Sequence, residues 1–134
     1  MQLLSTIVLG ALIAVPLIPS QVQQIHYEQV LTSAADPLDV YLRELSKCES
    51  GGLPDLEVLD TNGKMSRGKF MFQEHTFKTY TRKYGFLENA EDKELMNFIY
   101  DPEYQWKLTK KMIQDGGVGH WQNCREKIGE PPAR

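Results

Sequence analysis

The chain has 134 residues, of which 41% are hydrophobic and 25% are charged, a balance typical of one globular domain. The formal net charge of −3 argues against a nucleic-acid-binding protein, which would carry an excess of basic residues. The charges are unevenly distributed, because Glu28 is the only charged side chain between Met1 and Ala35, and no Lys or Arg occurs before Arg43. The first quarter of the chain therefore differs in kind from the rest.

The chain begins with an apolar run, Leu3–Ile18. Its 16 residues are more than the core of a signal peptide usually has and fewer than a membrane-spanning helix needs. A buried core helix is the alternative, but the run stands at the N-terminus and the polar stretch Gln21–Gln29 follows it. We interpret residues 1–20 as a signal peptide or membrane anchor and 21–35 as a linker. We therefore expect an exported protein, extracellular, periplasmic or anchored to a membrane through residues 3–18.

The next segment has the pattern of an amphipathic helix. Asp36 can cap free N–H groups and Pro37 suits the first helical position. Apolar residues then recur on one helical face, at Leu38, Tyr41, Leu42, Leu45 and Cys48. Ser50-Gly51-Gly52 ends the pattern, which predicts a helix from about Pro37 to Glu49 with Glu49 in its last turn.

A turn sequence follows this helix. Val58-Leu59-Asp60 and the stretch Met65–Phe72 flank Thr61-Asn62-Gly63-Lys64. Asn-Gly is a strong hairpin signal because both residues tolerate positive φ. We expect a small β-hairpin here, with two strands.

The remaining chain has the pattern of short helices. We predict helices at about 74–84, 90–100 and 102–114, and a last one carrying Trp121, Cys124 and Ile128 on one face. Trp121, Tyr80 and Tyr84 are expected in the core rather than on a sugar. The predicted fold is α+β, mainly α: one domain over 36–130, with about five helices and a small hairpin.

The two cysteines, Cys48 and Cys124, are 76 positions apart. In an exported chain a pair of cysteines forms a disulfide more often than a metal or redox site, although two unpaired buried thiols are the alternative. His26, His75 and His120 are far apart and lack ligand spacing, so we expect no metal site and no cofactor.

Glu49 is the candidate for acid–base chemistry. Cleaving a glycosidic bond requires a carboxylic acid that stays protonated near neutral pH, and burial achieves this by penalising the charged form. Glu49 ends an apolar helical face, and the adjacent Gly-rich turn leaves room for a sugar to approach. On residue type alone, a solvated surface Glu is the ordinary interpretation.

Three blocks together carry a resemblance to a known family. Cys48-Glu49-Ser50-Gly51-Gly52 closely resembles a segment of resuscitation-promoting factors, relatives of soluble lytic transglycosylases and lysozymes whose Glu-Ser-Gly motif carries the catalytic acid. The stretch Ser66–Gln73, followed by Thr76-Phe77, is similar to the family's second block. The helix after Asp101-Pro102, then Gly116–Cys124, resembles its closing block. The likeness spans about 37–124, but this chain has four residues between Gly68 and Gln73 where the family has about two.

The resemblance implies a lysozyme-like fold and an enzyme acting as a monomer on peptidoglycan, at the β-1,4 bond between N-acetylmuramic acid and N-acetylglucosamine. Glu49 would be the general acid and base, with Ser66, Gln73 and Asp60 contacting substrate. In chicken-type lysozymes a second carboxylate follows the hairpin turn, and its nearest counterpart here is Ser66. This favours a lytic transglycosylase, which needs no such carboxylate.

Two alternatives remain open at this point. One is a water-using muramidase, in which Asp60 on the other strand supplies the second carboxylate. The other is a cell-wall-binding module that keeps the fold without turnover.

Overall fold

The computed structural model describes residues 35–133. The predicted export segment and most of the linker lie outside the described residues. Within 35–133 there are five α-helices and three short strands, so the predicted mainly helical α+β class is confirmed. No helix in this part of the chain is long and apolar enough to cross a membrane. In chain order the elements are α1 Pro37–Ser50, β1 Glu57–Leu59, β2 Met65–Arg67, β3 Phe72–Gln73, α2 Glu74–Lys83, α3 Asp92–Met96, α4 Pro102–Gln114, a 3-10 helix Gly117–Trp121, and α5 Gln122–Ile128.

Helix α1 begins and ends as its sequence predicts. The Asp36 carboxylate accepts a hydrogen bond from the Leu38 N–H, and Pro37 takes the first helical position. At the other end Gly51 adopts φ 68°, and its N–H and that of Gly52 donate to carbonyls of the last turn. A Cβ at Gly51 or Gly52 would meet no atom within 4 Å, so these glycines are needed for their backbone conformation.

The predicted hairpin is present, but its second strand is wrong in length. β1 pairs antiparallel with β2 across a turn in which the Asp60 N–H donates to the Lys64 carbonyl oxygen and the Gly63 N–H donates to that of Asp60. Gly63 takes the positive φ of 75°. The stretch predicted as one strand over 65–72 turns back at Gly68 and returns as β3. The result is a three-stranded antiparallel sheet in the order β1-β2-β3 rather than a two-stranded hairpin.

Gly68 and Gln105 explain why the strand breaks. Gly68 has φ 76°, and a Cβ there would lie 2.8 Å from the Ile99 carbonyl oxygen and collide with the Gln105 side chain. The fully buried Gln105 amide donates to the Arg67 and Ile99 carbonyl oxygens and accepts from the Phe70 N–H. The turn is thus fastened to α4, which buries Phe70 in the core.

Helix α3 is shorter than the predicted 90–100. After Met96 the backbone hydrogen bonds connect residues three apart, from Asn97 to Glu94, Phe98 to Leu95 and Ile99 to Met96. This tighter winding still buries Leu95 and Ile99 completely, which is why the apolar pattern continued past the true helix end.

The core lies between α1, α2, α4 and the sheet. Its buried members include Leu42, Leu45, Phe77, Leu108 and Met112. Trp121 is 5% exposed, in agreement with its expected core position, and its indole N–H donates to the Phe70 carbonyl oxygen at 2.8 Å. Tyr80 and Tyr84 are half-buried and pack against this core.

The predicted disulfide between Cys48 and Cys124 is confirmed, with 5.8 Å between the two Cα atoms. It joins the last turn of α1 to α5 and closes a loop of 76 positions. In the chain-entropy model, closing a loop of this length stabilises the fold by about 4 kcal/mol.

Candidate active site

The residues predicted as the site meet at one cleft. This cleft has a volume of about 800 Å³ and is bordered by the end of α1, the sheet, and the segment from Gly119 to Cys124. All six predicted residues line it: Cys48, Glu49, Asp60, Ser66, Gln73 and Cys124. Gly51 and Gly52 are not among its lining residues. The space beside Glu49 is therefore formed by the sheet and the C-terminal segment, not by the glycine turn as the sequence suggested.

Glu49 is placed by two features of α1. It is in the last turn, where Gly51 stops the helix, and it directly follows Cys48, whose disulfide draws α5 against the same helix end. Buried Phe72 and Trp121 line the same cleft. Glu49, which borders the same cleft, is half-buried.

Burial raises the pKa of Glu49 from 4.5 to about 7. The positive charge of Lys127 lowers this pKa, while the negative charge of Asp60 raises it, and both effects are smaller than that of burial. Lys127 is exposed on α5, whereas Asp60 follows β1. Glu49 is therefore about half protonated at neutral pH, so it can either give or accept a proton there.

Asp60 is the second carboxylate in the cleft. Its Oδ2 accepts a hydrogen bond from the Ser66 hydroxyl and another, of 2.7 Å, from the Gln73 amide. Gln73 in turn accepts from the Asn62 amide at 3.3 Å. Ser66, Gln73 and Asp60 therefore form one connected network, which fixes the position of the Asp60 carboxylate.

The register of the sheet explains this network. Ser66 is the central residue of β2 and faces Val58 on β1 and Gln73 on β3. Ser66 is only 4% exposed and donates to Asp60. Ser66, the nearest counterpart of the second lysozyme carboxylate, thus carries a hydroxyl that donates to the Asp60 carboxylate. The substrate contacts predicted for Ser66, Gln73 and Asp60 stay predictions.

The sequence interpretation missed the other side of the cleft. His120, Gln122 and Asn123 line it, and all three are exposed. His120 was considered only as a metal ligand. The available signal was the position of these polar residues beside Trp121 and Cys124, which the sequence placed on one face of the last helix. Among residues 35–133, no three His, Cys, Asp or Glu side chains are grouped so that they could hold a metal ion.

The resemblance to resuscitation-promoting factors is carried by the three sequence blocks. No protein-family model, curated protein or solved structure matches this chain.

Proposed function

We propose that this protein cleaves the β-1,4 glycosidic bond between N-acetylmuramic acid and N-acetylglucosamine in peptidoglycan, with Glu49 as its general acid. The observation that carries the proposal is a carboxyl with its pKa raised to about 7, at the edge of a cleft of about 800 Å³ that also holds the negative charge of Asp60. Pairs of carboxyl groups in different protonation states are the usual apparatus of glycosidases. The disulfide supports an exported protein, because such bonds persist in oxidising compartments.

In the proposed mechanism, protonated Glu49 donates to the bridging oxygen as the glycosidic bond breaks and positive charge develops on the sugar ring. In this mechanism Asp60, held by Ser66 and Gln73, contacts the substrate and is not required for the chemistry. Glu49 is then ionised and can take a proton from the C6 hydroxyl of the same sugar. That hydroxyl closes a 1,6-anhydro ring, so no water is consumed.

A lytic transglycosylase uses one residue first as the acid and then as the base. The raised pKa of Glu49 favours this reaction, because a pKa near the working pH suits both steps. Ser66, at the nearest counterpart of the second lysozyme carboxylate, is committed to Asp60 and cannot serve as a nucleophile. These two features support ring closure by the substrate itself.

Zymography on purified peptidoglycan tests whether the protein is an enzyme. We expect Glu49→Gln to lose at least about 10²-fold in activity, the lower end for removal of a general acid. Glu44→Gln is the matched control, because Glu44 is an exposed residue of the same helix, paired with Lys47. A folded Glu49→Gln protein that clears peptidoglycan at the wild-type rate contradicts the assignment.

One observation favours a second candidate, a water-using muramidase. Asp60 lies in the cleft and its Oδ2 is oriented by two donors, as a catalytic carboxylate would be. Mass spectrometry separates the two reactions, since anhydro products are lighter than hydrolysed ones by one water. Under the transglycosylase mechanism Asp60→Asn keeps most of its activity. If Asp60→Asn loses as much activity as Glu49→Gln, and the products have reducing ends, the muramidase is correct.

A wall-binding module without turnover is the remaining alternative. It predicts that the wild-type protein sediments with peptidoglycan but releases no fragments. Detection of soluble muropeptides with wild type, and their absence with Glu49→Gln, would exclude it.

A further inference from the structure

A second polar pair lies at the cleft, away from Glu49 and Asp60. His120, in the 3-10 helix, lines the cleft, whereas Tyr80 of α2 is not among the lining residues. The Tyr80 hydroxyl is 2.7 Å from Nε2 of His120, so the two side chains are hydrogen-bonded. The pair connects α2 to the C-terminal side of the cleft.

The His120 ring is held from two directions. Tyr80 meets it edge-on, with ring centroids 4.9 Å apart and an interplanar angle of 81°. Trp121 packs beside it at 6.1 Å and 71°. A surface histidine without such neighbours would sample several rotamers. Here the ring is fixed in advance, which reduces the conformational entropy lost when a ligand binds to it.

One ring nitrogen remains for a ligand. Desolvation lowers the pKa of His120 below its ordinary value, which favours the neutral form of the ring. A neutral imidazole has one donor and one acceptor nitrogen, and Tyr80 engages Nε2. Among the described residues no hydrogen bond engages Nδ1. If Nε2 donates to Tyr80, Nδ1 can accept a hydrogen bond from a ligand. If Nε2 accepts from Tyr80, Nδ1 can donate one.

We propose that His120 binds the glycan through a hydrogen bond to a sugar hydroxyl or acetamido group, and that Tyr80 is the residue that positions it. This inference rests on the proposed function, because it takes the cleft ligand to be a glycan strand. Sugars offer many hydroxyl and amide groups, and a neutral imidazole can bond them at little desolvation cost. The side of the cleft that carries His120 thereby holds the strand while Glu49 acts on it.

The pair has little to contribute as a structural link. The hydrogen bond itself is exposed to solvent, although the Tyr80 ring is half-buried, and an exposed hydrogen bond adds little net stability because water replaces either partner. The packing of Tyr80 against the core comes from its ring, not from its hydroxyl. Tyr80→Phe therefore keeps the packing and removes only the contact to His120.

The test measures steady-state kinetics and binding of a peptidoglycan tetrasaccharide made of two N-acetylglucosamine–N-acetylmuramic acid units. For Tyr80→Phe we expect KM to rise about two- to tenfold, the range for one net hydrogen bond, with kcat within about twofold of wild type. His120→Ala should raise KM at least as much. Tyr84→Phe is the control, since Tyr84 directly follows α2, four positions after Tyr80, and does not line the cleft.

Binding is measured separately by calorimetry in a Glu49→Gln background, which retains the tetrasaccharide uncut. Adding Tyr80→Phe should raise the Kd by the same factor as KM. His120 is unchanged in the Glu49→Gln protein, so its ring can be followed there in ¹⁵N spectra. The Nδ1 resonance of His120 should move when tetrasaccharide is added. A purely structural link between Tyr80 and His120 would not produce that shift.

The two hypotheses fail in different ways. If the Glu49→Gln protein binds tetrasaccharide but neither Tyr80→Phe nor His120→Ala changes its Kd, the role of His120 is wrong and the proposed function stands. If kcat falls while KM is unchanged, His120 acts in the chemistry and the binding role is equally wrong. If wild type neither binds tetrasaccharide nor cuts peptidoglycan, the proposed function is wrong and this inference with it.

Discussion

Glu49 should weaken the fold at neutral and alkaline pH. Its pKa is about 7 in the folded protein and near 4.5 in an exposed chain. Well below pH 4.5 both states are protonated and no penalty arises. As the pH rises from 4.5 to 7 the unfolded chain ionises first, so stability is lost progressively, and above 7 the loss is complete. Glu49→Gln removes this loss, because an amide is neutral at every pH.

The size of the effect follows from the pKa values. A carboxyl with a pKa of 4.5 is about 0.3% protonated at pH 7, whereas Glu49 is about half protonated there. The corresponding free energy must be discounted because Glu49 is still partly exposed to solvent. We expect Glu49→Gln to add on the order of 1 kcal/mol more stability at pH 8 than at pH 5. For a domain of this size that corresponds to roughly 4–8 °C in Tm.

Thermal unfolding followed by circular dichroism at pH 5 and pH 8 measures this difference. Glu44→Gln is again the control, since its side chain is exposed on the same helix and pairs only with Lys47. Its Tm should change little at either pH. A gain confined to Glu49→Gln and to the higher pH would therefore report the buried carboxyl.

Two results would refute the reasoning. If Glu49→Gln is as stable as wild type at pH 8, the carboxyl is solvated and its pKa is not raised. If the mutant is less stable at pH 8, the Glu49 anion makes a favourable contact in the folded state. In either case the protein would lack a protonated acid at neutral pH, and the proposed mechanism would lose its main support.

Further predictions concern the charges and the covalent link beside Glu49. The alkaline limb of kcat/KM should move to higher pH in Lys127→Gln, because the Lys127 charge lowers the pKa of Glu49. In Asp60→Asn the limb should move to lower pH and by less, because the Asp60 charge raises that pKa and has the smaller effect. Shifts in the same direction in both mutants would contradict the electrostatic explanation. Replacing Cys48 and Cys124 with Ala should lower the free energy of unfolding by about 4 kcal/mol in denaturant titrations. The same double mutant should move the alkaline limb to lower pH, because a loosened α5 admits water to Glu49, and an unchanged limb would show that the disulfide does not maintain this burial.

The sequence predicted well those features that depend on neighbouring residues. The Asp36-Pro37 start, the apolar face of α1 and the Gly51 stop are all local signals, and the structure reproduces them. Since Glu49 lies two residues before Gly51, its position at a helix end was also predictable. The pairing of Cys48 with Cys124 followed from the expected redox environment, because two cysteines allow only one intramolecular disulfide.

Features that depend on distant contacts were not predictable. The turn at Gly68 depends on Gln105, far along the chain, which donates to the Arg67 carbonyl oxygen and leaves no room for a side chain at Gly68. The true end of α3 was hidden because Ile99, in the turns that follow the helix, is as fully buried as Leu95 within it. Periodicity identifies which residues face the core, but it does not distinguish an α-helix from a tighter turn that buries the same pair.

The candidate site combines both kinds of information. Glu49 is supplied by a local motif, but its raised pKa depends on a cleft that three separate parts of the chain form. Asp60 is brought to that cleft by the hairpin turn and fixed by donors on β2 and β3. The disulfide holds the third border of the cleft, the segment from Gly119 to Cys124. Cys124, three residues after buried Trp121, is bonded to Cys48, which directly precedes Glu49. A motif search therefore selects Glu49 as the candidate acid, whereas only the assembled fold explains why the pKa of its carboxyl is raised to about 7.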